Sequence, residues 1–478
     1  MTIKKSLIGA SLTGTSDWQS IKWKPAENLV SRLQMRIAKA TREGKYNKVK
    51  ALQRLLTRSH SAKLLSVRKV TRNKGAKTPG IDGVIWRTDK QKAEAVQSLQ
   101  HGNYTPMPVR RIYITKSNGR KRPLGIMTMK DRAMQALSLH ALEPVAETQA
   151  DKNSYGFRRY RSTADAIAQV FATLACKNRA KWILECDIES CFDRIDHTWL
   201  KNNILTEAKL LKKWLQAGYM EKTRIMQTNM GTPQGAIISP CWTLITLSGL
   251  ETAILAGTKQ QDKVNVVAYA DDLVITGNSK ELLEKQIKPK VETFLRERGL
   301  NLSKEKTKVV HIEHGFDFLG FNVRKYQEKL LIKPAKENIK DFLAEIRATV
   351  KSNKSAKTEN LINLLNPKIR GWANYYSKVV SKKVFSCVDE EIYKCLVTWA
   401  KRRHPNKGSL WVRKYFRSQD TQNWIFSAKI GNKYLNLFKA SQVKIRRHIK
   451  IKKDATPFDP KFTGYFNWRK KGLNDVTA

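Results

Sequence analysis

Acidic residues are scarce in this chain of 478 residues. Lys and Arg number 91 against 41 Asp and Glu, which leaves a net charge of +50. So large an excess repels itself unless a polyanion neutralises it, and bound Lys and Arg release the counterions that condense on nucleic-acid phosphates. An anionic membrane surface is the rival partner, but no basic amphipathic helix dominates the sequence. We therefore expect a nucleic-acid partner and no membrane partner.

Cysteine is also sparse, with six in the chain and none in a Cys-x-x-Cys pair. Several lie in apolar runs, so we expect buried, reduced thiols in a cytoplasmic protein, and neither disulfides nor zinc ligands. The first residues lack the apolar core of a signal peptide. Residues 225–250 contain no charged side chain, but Asn229, Pro233, Gln234 and Pro240 interrupt them. This interruption predicts a buried loop and helix in place of a membrane span.

Both ends of the chain are strongly basic. Residues 1–80 contain 19 basic and 3 acidic side chains, and residues 401–478 contain 20 and 4. A chain of this length exceeds one compact core, so we expect two to four domains. The distribution of charge predicts a nucleic-acid clamp around a centre that uses carboxylates.

Hydrophobic periodicity predicts strands in the middle of the chain and helices on either side. Residues 27–70 indicate two basic helices with a break near Gly44. The alternation of residues 109–114 and the turn signal Asn118-Gly119 predict a hairpin. Strand signals fade beyond residue 331. The other predicted elements are strands at 181–187 and 316–321, and helices at 131–150, 281–300, 336–350, 357–371 and 380–403.

The most informative segment is residues 264–277, where two apolar, β-branched runs flank Tyr269-Ala270-Asp271-Asp272. The pattern predicts a strand, a tight turn and a strand. Adjacent carboxylates repel each other, and a divalent cation removes that cost. Taken alone, a solvated acidic turn is the better explanation of the segment, and the rest of the chain is what favours a metal site. Asp187, which ends a predicted strand 84 positions before Asp271, could join such a metal site only through the tertiary fold.

The order of these features along the chain resembles the reverse transcriptases encoded by group II introns, which also act as splicing maturases. The resemblance extends from about residue 20 to residue 470. It implies an α+β right-hand polymerase fold: fingers and palm of antiparallel sheet plus helices, an α-helical thumb, and basic helical extensions. The matching segments are residues 78–83, 122–126, 154–158, 231–235, 269–272, 318–321 and 365–376.

The resemblance implies four regions. Residues 1–70 would be a basic, RNA-binding N-terminal extension, 71–330 the fingers and palm, 331–410 the thumb or maturase domain, and 411–478 a basic DNA-binding region. The implied function is an RNA-directed DNA polymerase that binds its intron RNA to assist splicing and copies that RNA during retrohoming. Its partners would be intron and template RNA, primer and target DNA, and dNTPs. A bland basic helical tail is the alternative for 411–478.

The resemblance also implies roles for individual residues. Asp187, Asp271 and Asp272 would be catalytic and would hold two Mg²⁺ ions, assisted by the carbonyl of Ile188, for nucleotidyl transfer. Ordinary packing in the core, or a solvated hairpin, is the alternative for most of the other residues. Those residues are Lys116, Arg122, Phe192 and Gln234 at the nucleotide, and Phe318, Leu319, Gly320 and Phe321 at the primer end.

The sequence departs from the family at several points. Arg159-Tyr160 stands where Pro-Gly is usual, and Met127 and Ala236 replace a common proline and glycine. No cysteine pairs or clustered histidines follow Cys395 to form an HNH endonuclease. Two other functions therefore stay open: a domesticated polymerase in DNA repair or phage defence, and a non-catalytic RNA-binding splicing factor. The intact acidic trio argues against the second.

Overall fold

The computed structural model describes residues 18–115, 119, 121–419 and 422–474. The strands are β1 (Val109–Thr115), β2 (Lys121–Ile126), β3 (Trp182–Asp187), β4 (Tyr219–Glu221), β5 (Arg224–Met226), β6 (Asn265–Tyr269), β7 (Asp272–Gly277), β8 (Lys308–His311), β9 (Phe316–Phe318), β10 (Phe321–Tyr326), β11 (Lys329–Pro334), β12 (Phe416–Gln419), β13 (Gln422–Ile430) and β14 (Lys433–Asn436). The strands form separate sheets, and helices surround them.

The helices of the first half are α1 (Trp23–Arg42), α2 (Tyr46–Arg58), α3 (His60–Thr71), α4 (Asp89–Ser98), α5 (Met129–Gln149), α6 (Thr163–Leu174), α7 (Cys191–Arg194), α8 (His197–Asn203) and α9 (Ala208–Gln216). Those of the second half are α10 (Ser239–Leu247), α11 (Leu250–Leu255), α12 (Lys280–Leu282), α13 (Lys288–Arg296), α14 (Lys336–Ser352), α15 (Thr358–Tyr376), α16 (Lys382–Arg403), α17 (Ser409–Val412) and α18 (Thr463–Asn474). A π-helical turn joins α12 to α13.

The central sheet is antiparallel, with the strand order β6-β7-β3-β8. Successive residues of a strand point to opposite faces. Leu184 and Ile275 accordingly belong to one hydrophobic core, whereas Ile183 and Val274 belong to a second. Both faces of the sheet are therefore covered, which explains why its strands read as continuous apolar runs.

The first core joins the N-terminal helices to α5, which is buried over most of its length. Apolar residues of α1, such as Val30, Leu33 and Ile37, recur at helical spacing and are buried against it. The prediction of two helices over residues 27–70 was wrong, because three helices, α1 to α3, cover this segment. The break near Gly44 is confirmed, but a second break occurs at Ser59, whose hydroxyl accepts a hydrogen bond from the backbone N–H of Ala62 and caps α3.

A second sheet has the order β2-β1-β4-β5 and contains the predicted hairpin. Thr115 of β1 pairs with Lys121 of β2, while residues 116–118 and Arg120 lie outside the described part of the chain. The prediction of a buried loop over residues 225–250 was wrong at its start, because β5 and Met230 are exposed. The buried helix is present as α10.

The second core runs from the central sheet into the helices α14, α15 and α16, which confirm the three helices predicted there. Phe342 and Trp372 stack across α14 and α15 with ring centroids 4.7 Å apart. The single strand predicted over residues 316–321 was wrong. Leu319 and Gly320 have φ angles of 51° and 76°, and they form a tight turn between β9 and β10.

A three-stranded sheet, β12-β13-β14, follows these helices and corrects the expectation of a purely helical C-terminal extension. The side chain of Asn366 on α15 fixes its edge, donating to the Asn436 carbonyl at 3.0 Å and accepting from Phe438 N–H at 2.7 Å. Because the sheet packs on α15, it shares the second core. No helix of the described ranges is both long and apolar enough to cross a bilayer.

Candidate active site

The end of β3 and the turn between β6 and β7 bring three carboxylates together. Asp187, the last residue of β3, pairs directly with Asp272, the first residue of β7. Opposed residues of an antiparallel pair have Cβ atoms about 5 Å apart on the same face. Asp271 lies in the turn, and it lines with Asp187 a cleft of about 770 Å³. The fold thus joins the acidic residues that the sequence analysis had grouped.

The loop that precedes α6 packs against β6 and this turn and supports them. Tyr155 N–H donates to the Ala268 carbonyl at 2.8 Å, and Ala268 N–H donates to the Asn153 carbonyl at 3.0 Å. A Cβ on Gly156 would stand 2.2 Å from the backbone nitrogen of Ala270, so only glycine allows this approach. Ala270 itself has a φ of 57°, a left-handed conformation that costs about 1–2 kcal/mol for an L-residue. The surrounding packing therefore holds the turn in an unfavourable shape.

The acidic turn contains negative charge that the protein does not neutralise. Burial raises the pKa of Asp271, and repulsion from Asp187 raises it further, whereas Arg122 and Lys306 lower it. Burial, followed by repulsion from Asp271 and Asp187, raises the pKa of Asp272 to about 6. Close carboxylates in a partly desolvated place behave in this way, and a hard divalent cation with oxygen ligands would relieve the repulsion.

Lys306 supplies part of the positive charge that offsets these carboxylates. Its Nζ donates to Oδ2 of Asp187 at 3.0 Å, and its side chain is 63% exposed. Within the described ranges, no group of three or more His, Cys, Asp or Glu side chains stands ready to hold an ion. The donor chemistry nevertheless fits a divalent cation. The pair between Asp187 and Lys306 is exposed and weak, so it would not prevent a cation from binding there.

Arg122 and Gln234 meet on the wall of the same cleft. The Arg122 Nε donates to Oε1 of Gln234 at 2.8 Å, and Nε2 of Gln234 donates to Oδ2 of Asp193 at 2.8 Å. The Gly125 N–H donates to the Gln234 carbonyl at 2.7 Å, which ties this loop to β2. A guanidinium held beside the carboxylates can bind phosphate oxygens in pairs. Lys116 lies outside the described residues.

Phe192 of α7 also lines the cleft and is half-buried. Its ring meets that of Phe157 edge to face, with centroids 5.8 Å apart. Phe157 is 41% exposed and has a φ of 60°. Phe192 is therefore not a plain core residue, because its ring borders open space and is braced by one neighbouring ring. Ile188 lines the same cleft as Phe192 and Asp187, and its side chain is buried.

The turn between β9 and β10 is held by two tyrosines of α15. The hydroxyl of Tyr375 donates to the Leu319 carbonyl at 2.8 Å, and that of Tyr376 donates to the Gly320 carbonyl at 3.1 Å. Phe318 and Phe321 are buried in the second core. The structure thus divides the predicted four-residue site into two anchors and a partly exposed turn of Leu319 and Gly320.

Known families match most of the chain. Residues 18–99 match the family described as the N-terminal domain of reverse transcriptase. Residues 114–323 match the family described as reverse transcriptase (RNA-dependent DNA polymerase). Group II intron, maturase-specific domain, matches residues 339–416. The chain belongs to the group II intron reverse transcriptases. It is an RNA-directed DNA polymerase, and its family uses divalent metal ions and binds RNA and DNA.

Relatives in bacteria span most of this reverse transcriptase. Protein YkfC of Escherichia coli (strain K12) is 32% identical over 376 residues, which cover 67% of this chain and 96% of that protein. Group II intron-encoded protein LtrA of Lactococcus lactis subsp. cremoris is 28% identical over 438 residues, which cover 71% and 72%. A solved structure of apo telomerase from Candida tropicalis, truncated from the C-terminal domain, aligns with a TM-score of 0.33 and 17% identity over 47% of this chain and 54% of that one. That score is too low to support an argument about the fold.

Sequence reasoning missed several residues of the reverse transcriptase site. Lys306 reaches Asp187 across 119 positions, and nothing in its basic surroundings distinguishes it from neighbouring lysines. Phe157 and the tyrosines 375 and 376 lie in segments that resemble the family, but their sequence gives no sign of what they touch. Their partners are set by the tertiary fold alone.

Proposed function

We propose that this reverse transcriptase is the polymerase of a group II intron, which binds the intron RNA to assist splicing and copies it during retrohoming. The match of residues 339–416 to the maturase-specific domain supports this function over a domesticated polymerase in repair or phage defence. The net charge of +50 suits an extensive RNA partner. The six cysteines, all free, favour a cytoplasmic location.

The register of Asp187 opposite Asp272, with Asp271 at the adjoining turn, is the observation that carries the catalytic proposal. These three carboxylates and the Ile188 carbonyl would hold two Mg²⁺ ions. Bound there, the ions would lower the pKa of a primer 3′-hydroxyl and stabilise the departing pyrophosphate. The raised pKa values of Asp271 and Asp272 support a site that is completed by added positive charge.

The wall of the cleft binds the incoming dNTP. Arg122 binds triphosphate oxygens, with Lys116 as its partner, and Gln234 orients both the guanidinium and the nucleotide. Phe192 lies under the sugar, where a 2′-hydroxyl would collide with its ring. Its half-buried position beside Asp271 supports this role.

The primer and template lie across the turn and the basic regions. Leu319 and Gly320 support the primer end, while the buried Phe318 and Phe321 fix the turn in place. The basic helices before residue 70 bind template and intron RNA, residues 71–330 form the fingers and palm, and 331–410 form the thumb. Residues 411–478 contribute to DNA binding, with aromatic rings among basic side chains.

The test is extension of a DNA primer on an RNA template with dNTPs and Mg²⁺. The isosteric change Asp271→Asn should abolish extension and leave RNA affinity near that of the wild type, because the carboxylate binds the metal and not the RNA. Asp341→Asn, an exposed acid of α14 outside the cleft, is the matched control and should behave as wild type.

Two results would contradict the proposal. Failure of the wild type to extend any primer would remove the polymerase function. Loss of RNA affinity in Asp271→Asn, in parallel with loss of extension, would remove the metal-binding role of the carboxylate.

A further inference from the structure

The C-terminal segment, defined here as residues 443–470, lies against the central part of the fold and is anchored there by a buried carboxylate. Asp165, at the start of α6, is fully buried. It lies 2.9 Å from Nε2 of His448 and accepts from Nη2 of Arg469 at 2.7 Å and from the Ile451 N–H at 2.7 Å. Three parts of the segment thus converge on one side chain.

The loop that precedes Asp165, residues 157–161, faces the same segment. The Arg161 Nη2 donates to the carbonyls of Lys453 and Ala455 at 3.1 and 3.4 Å. The Arg159 guanidinium lies 5.7 Å from the centre of the Phe458 ring. Arg159, one of the residues that depart from the family pattern, therefore lies against the C-terminal segment.

Tyr160 has a φ of 61°, a conformation that L-residues rarely adopt and that only neighbouring contacts can maintain. The ring of Phe466 lies 5.0 Å from that of Tyr160, and the Nζ of Lys470 lies 5.2 Å from its centre. Both neighbours belong to the C-terminal segment. The strained residue and the side chains that contact it are thus about 300 positions apart in the sequence.

Phe157, three positions earlier, is also left-handed and braces Phe192 in the nucleotide cleft. Between it and Tyr160, the buried Arg158 pairs with both carboxylate oxygens of Glu147 at 2.8 and 2.7 Å. Phe157 and Phe458 line one small cavity of about 70 Å³. The backbone between Tyr160 and Phe157 therefore has little room to adjust, so a displacement of Tyr160 should also displace Phe157.

We propose that the docked C-terminal segment is a positioning element of the nucleotide pocket. It fixes Tyr160, the loop transmits this position to Phe157, and Phe157 sets the place of the Phe192 ring that distinguishes deoxyribose from ribose. The inference rests on the proposed role of Phe192. Tyr160 and Phe466 are positioning residues and do not touch the nucleotide.

The experiment compares Tyr160→Gly and Phe466→Ala in the full-length chain. Glycine adopts the left-handed conformation freely, so the first variant removes the ring without adding strain. Phe171→Ala is the matched control, because Phe171 is an aromatic residue of α6 that is 41% exposed and lies outside both the loop and the C-terminal segment. For each protein, KM and kcat are measured in primer extension with dNTPs and rNTPs, together with the Kd for primer–template.

Both variants should raise the KM for dNTP about five- to tenfold and reduce discrimination against rNTP, since small displacements in a positioned site have large kinetic effects. The Kd for primer–template should stay within about twofold of wild type. Phe171→Ala should match the wild type in all values. An unchanged KM and unchanged discrimination would overturn the proposal, also where the primer–template Kd rises, because the segment would then act in nucleic-acid binding alone.

Hydrogen exchange provides a readout that needs no polymerase activity. The amides of Tyr155 and Ala268 bond across the loop and the catalytic turn. They should exchange faster in Tyr160→Gly and Phe466→Ala than in Phe171→Ala. Equal protection in all proteins would reject the coupling even if the wild type extended no primer, so the two failures can be told apart. Should Phe466→Ala fail to fold, Tyr160→Gly alone decides the outcome.

Discussion

Two regions of the reverse transcriptase bury carboxylates, and they treat the charge in opposite ways. Asp165 is enclosed by Arg469, His448 and a backbone N–H, and its pKa falls to about 2 although burial acts to raise it. Asp272 is also largely withdrawn from water, but its nearest charges are Asp271 and Asp187, and its pKa rises to about 6. Hydrogen bonds and a cation determine the direction of the pKa shift at Asp165, whereas desolvation and repulsion determine it at Asp272.

The difference separates a structural site from a functional one. A buried charge with a complete set of partners ties segments together, and removing a partner is costly. A buried charge without partners lowers stability, so its persistence points to a ligand that supplies the missing charge.

The largest expected effect is on catalysis. Asp272→Asn should reduce primer extension by about 10³-fold or more, since metal-held charge stabilises the transition state by several kcal/mol. Its free energy of unfolding should not fall, because the substitution removes repulsion. Extension rates and urea unfolding of the same preparation measure both. A variant with substantial activity would show that Asp272 does not serve the metal site.

The converse change comes next. Asp165→Asn should destabilise the fold by about 3–5 kcal/mol, because it leaves the Arg469 charge buried without its partner. Urea unfolding measures this loss. A loss below about 1 kcal/mol, the range of exposed ion pairs, would mean that the contacts of Asp165 are solvated in solution.

The pH dependence of stability should differ in sign between the two sites. Without divalent cations, the raised pKa of Asp272 means that its contribution becomes more unfavourable as pH increases from about 4 to about 6, by roughly 1–3 kcal/mol. The depressed pKa of Asp165 gives a favourable contribution that is complete above about pH 4 and is lost as pH falls towards 2. Urea unfolding in EDTA from pH 4 to 7 should show Asp272→Asn gaining stability over the wild type as pH rises. A constant difference would contradict the raised pKa.

The smallest effect concerns the cation itself. Saturating Mg²⁺ at pH 7 should stabilise the wild type by about 1–3 kcal/mol through mass action. The response should persist in Asp165→Asn, if measured where that variant is folded, and vanish in Asp272→Asn. Thermal unfolding with Mg²⁺ or EDTA provides the measurement. An equal response in both variants would place the stabilising ion elsewhere.

Local patterns predicted the parts of the site that depend on neighbouring residues. The apolar, β-branched runs on either side of the acidic pair indicated the strand, turn and strand, and Asp187 was found because it ends an apolar-rich strand. The three helices after residue 335 followed from helical spacing. In each case the element is amphipathic or apolar in a way that the final packing uses.

Other parts were hidden because the tertiary fold decides them. The apolar run at residues 316–321 concealed a turn, since Leu319 adopts a left-handed conformation that its side chain does not signal. Strands β12 to β14 mix basic and aromatic residues and gain their order by packing on α15. Lys306 reaches Asp187 through space, and the periodicity of α1 to α3 did not reveal the cap at Ser59.

The two phenol hydroxyls of α15 connect this helix to the turn between β9 and β10. They donate hydrogen bonds of 2.8 and 3.1 Å to two successive carbonyls of that turn. If α15 rotates, Leu319 and Gly320 must therefore move with it, or both hydrogen bonds must break. In the proposed primer site, a movement of α15 would therefore also displace the turn that supports the primer end.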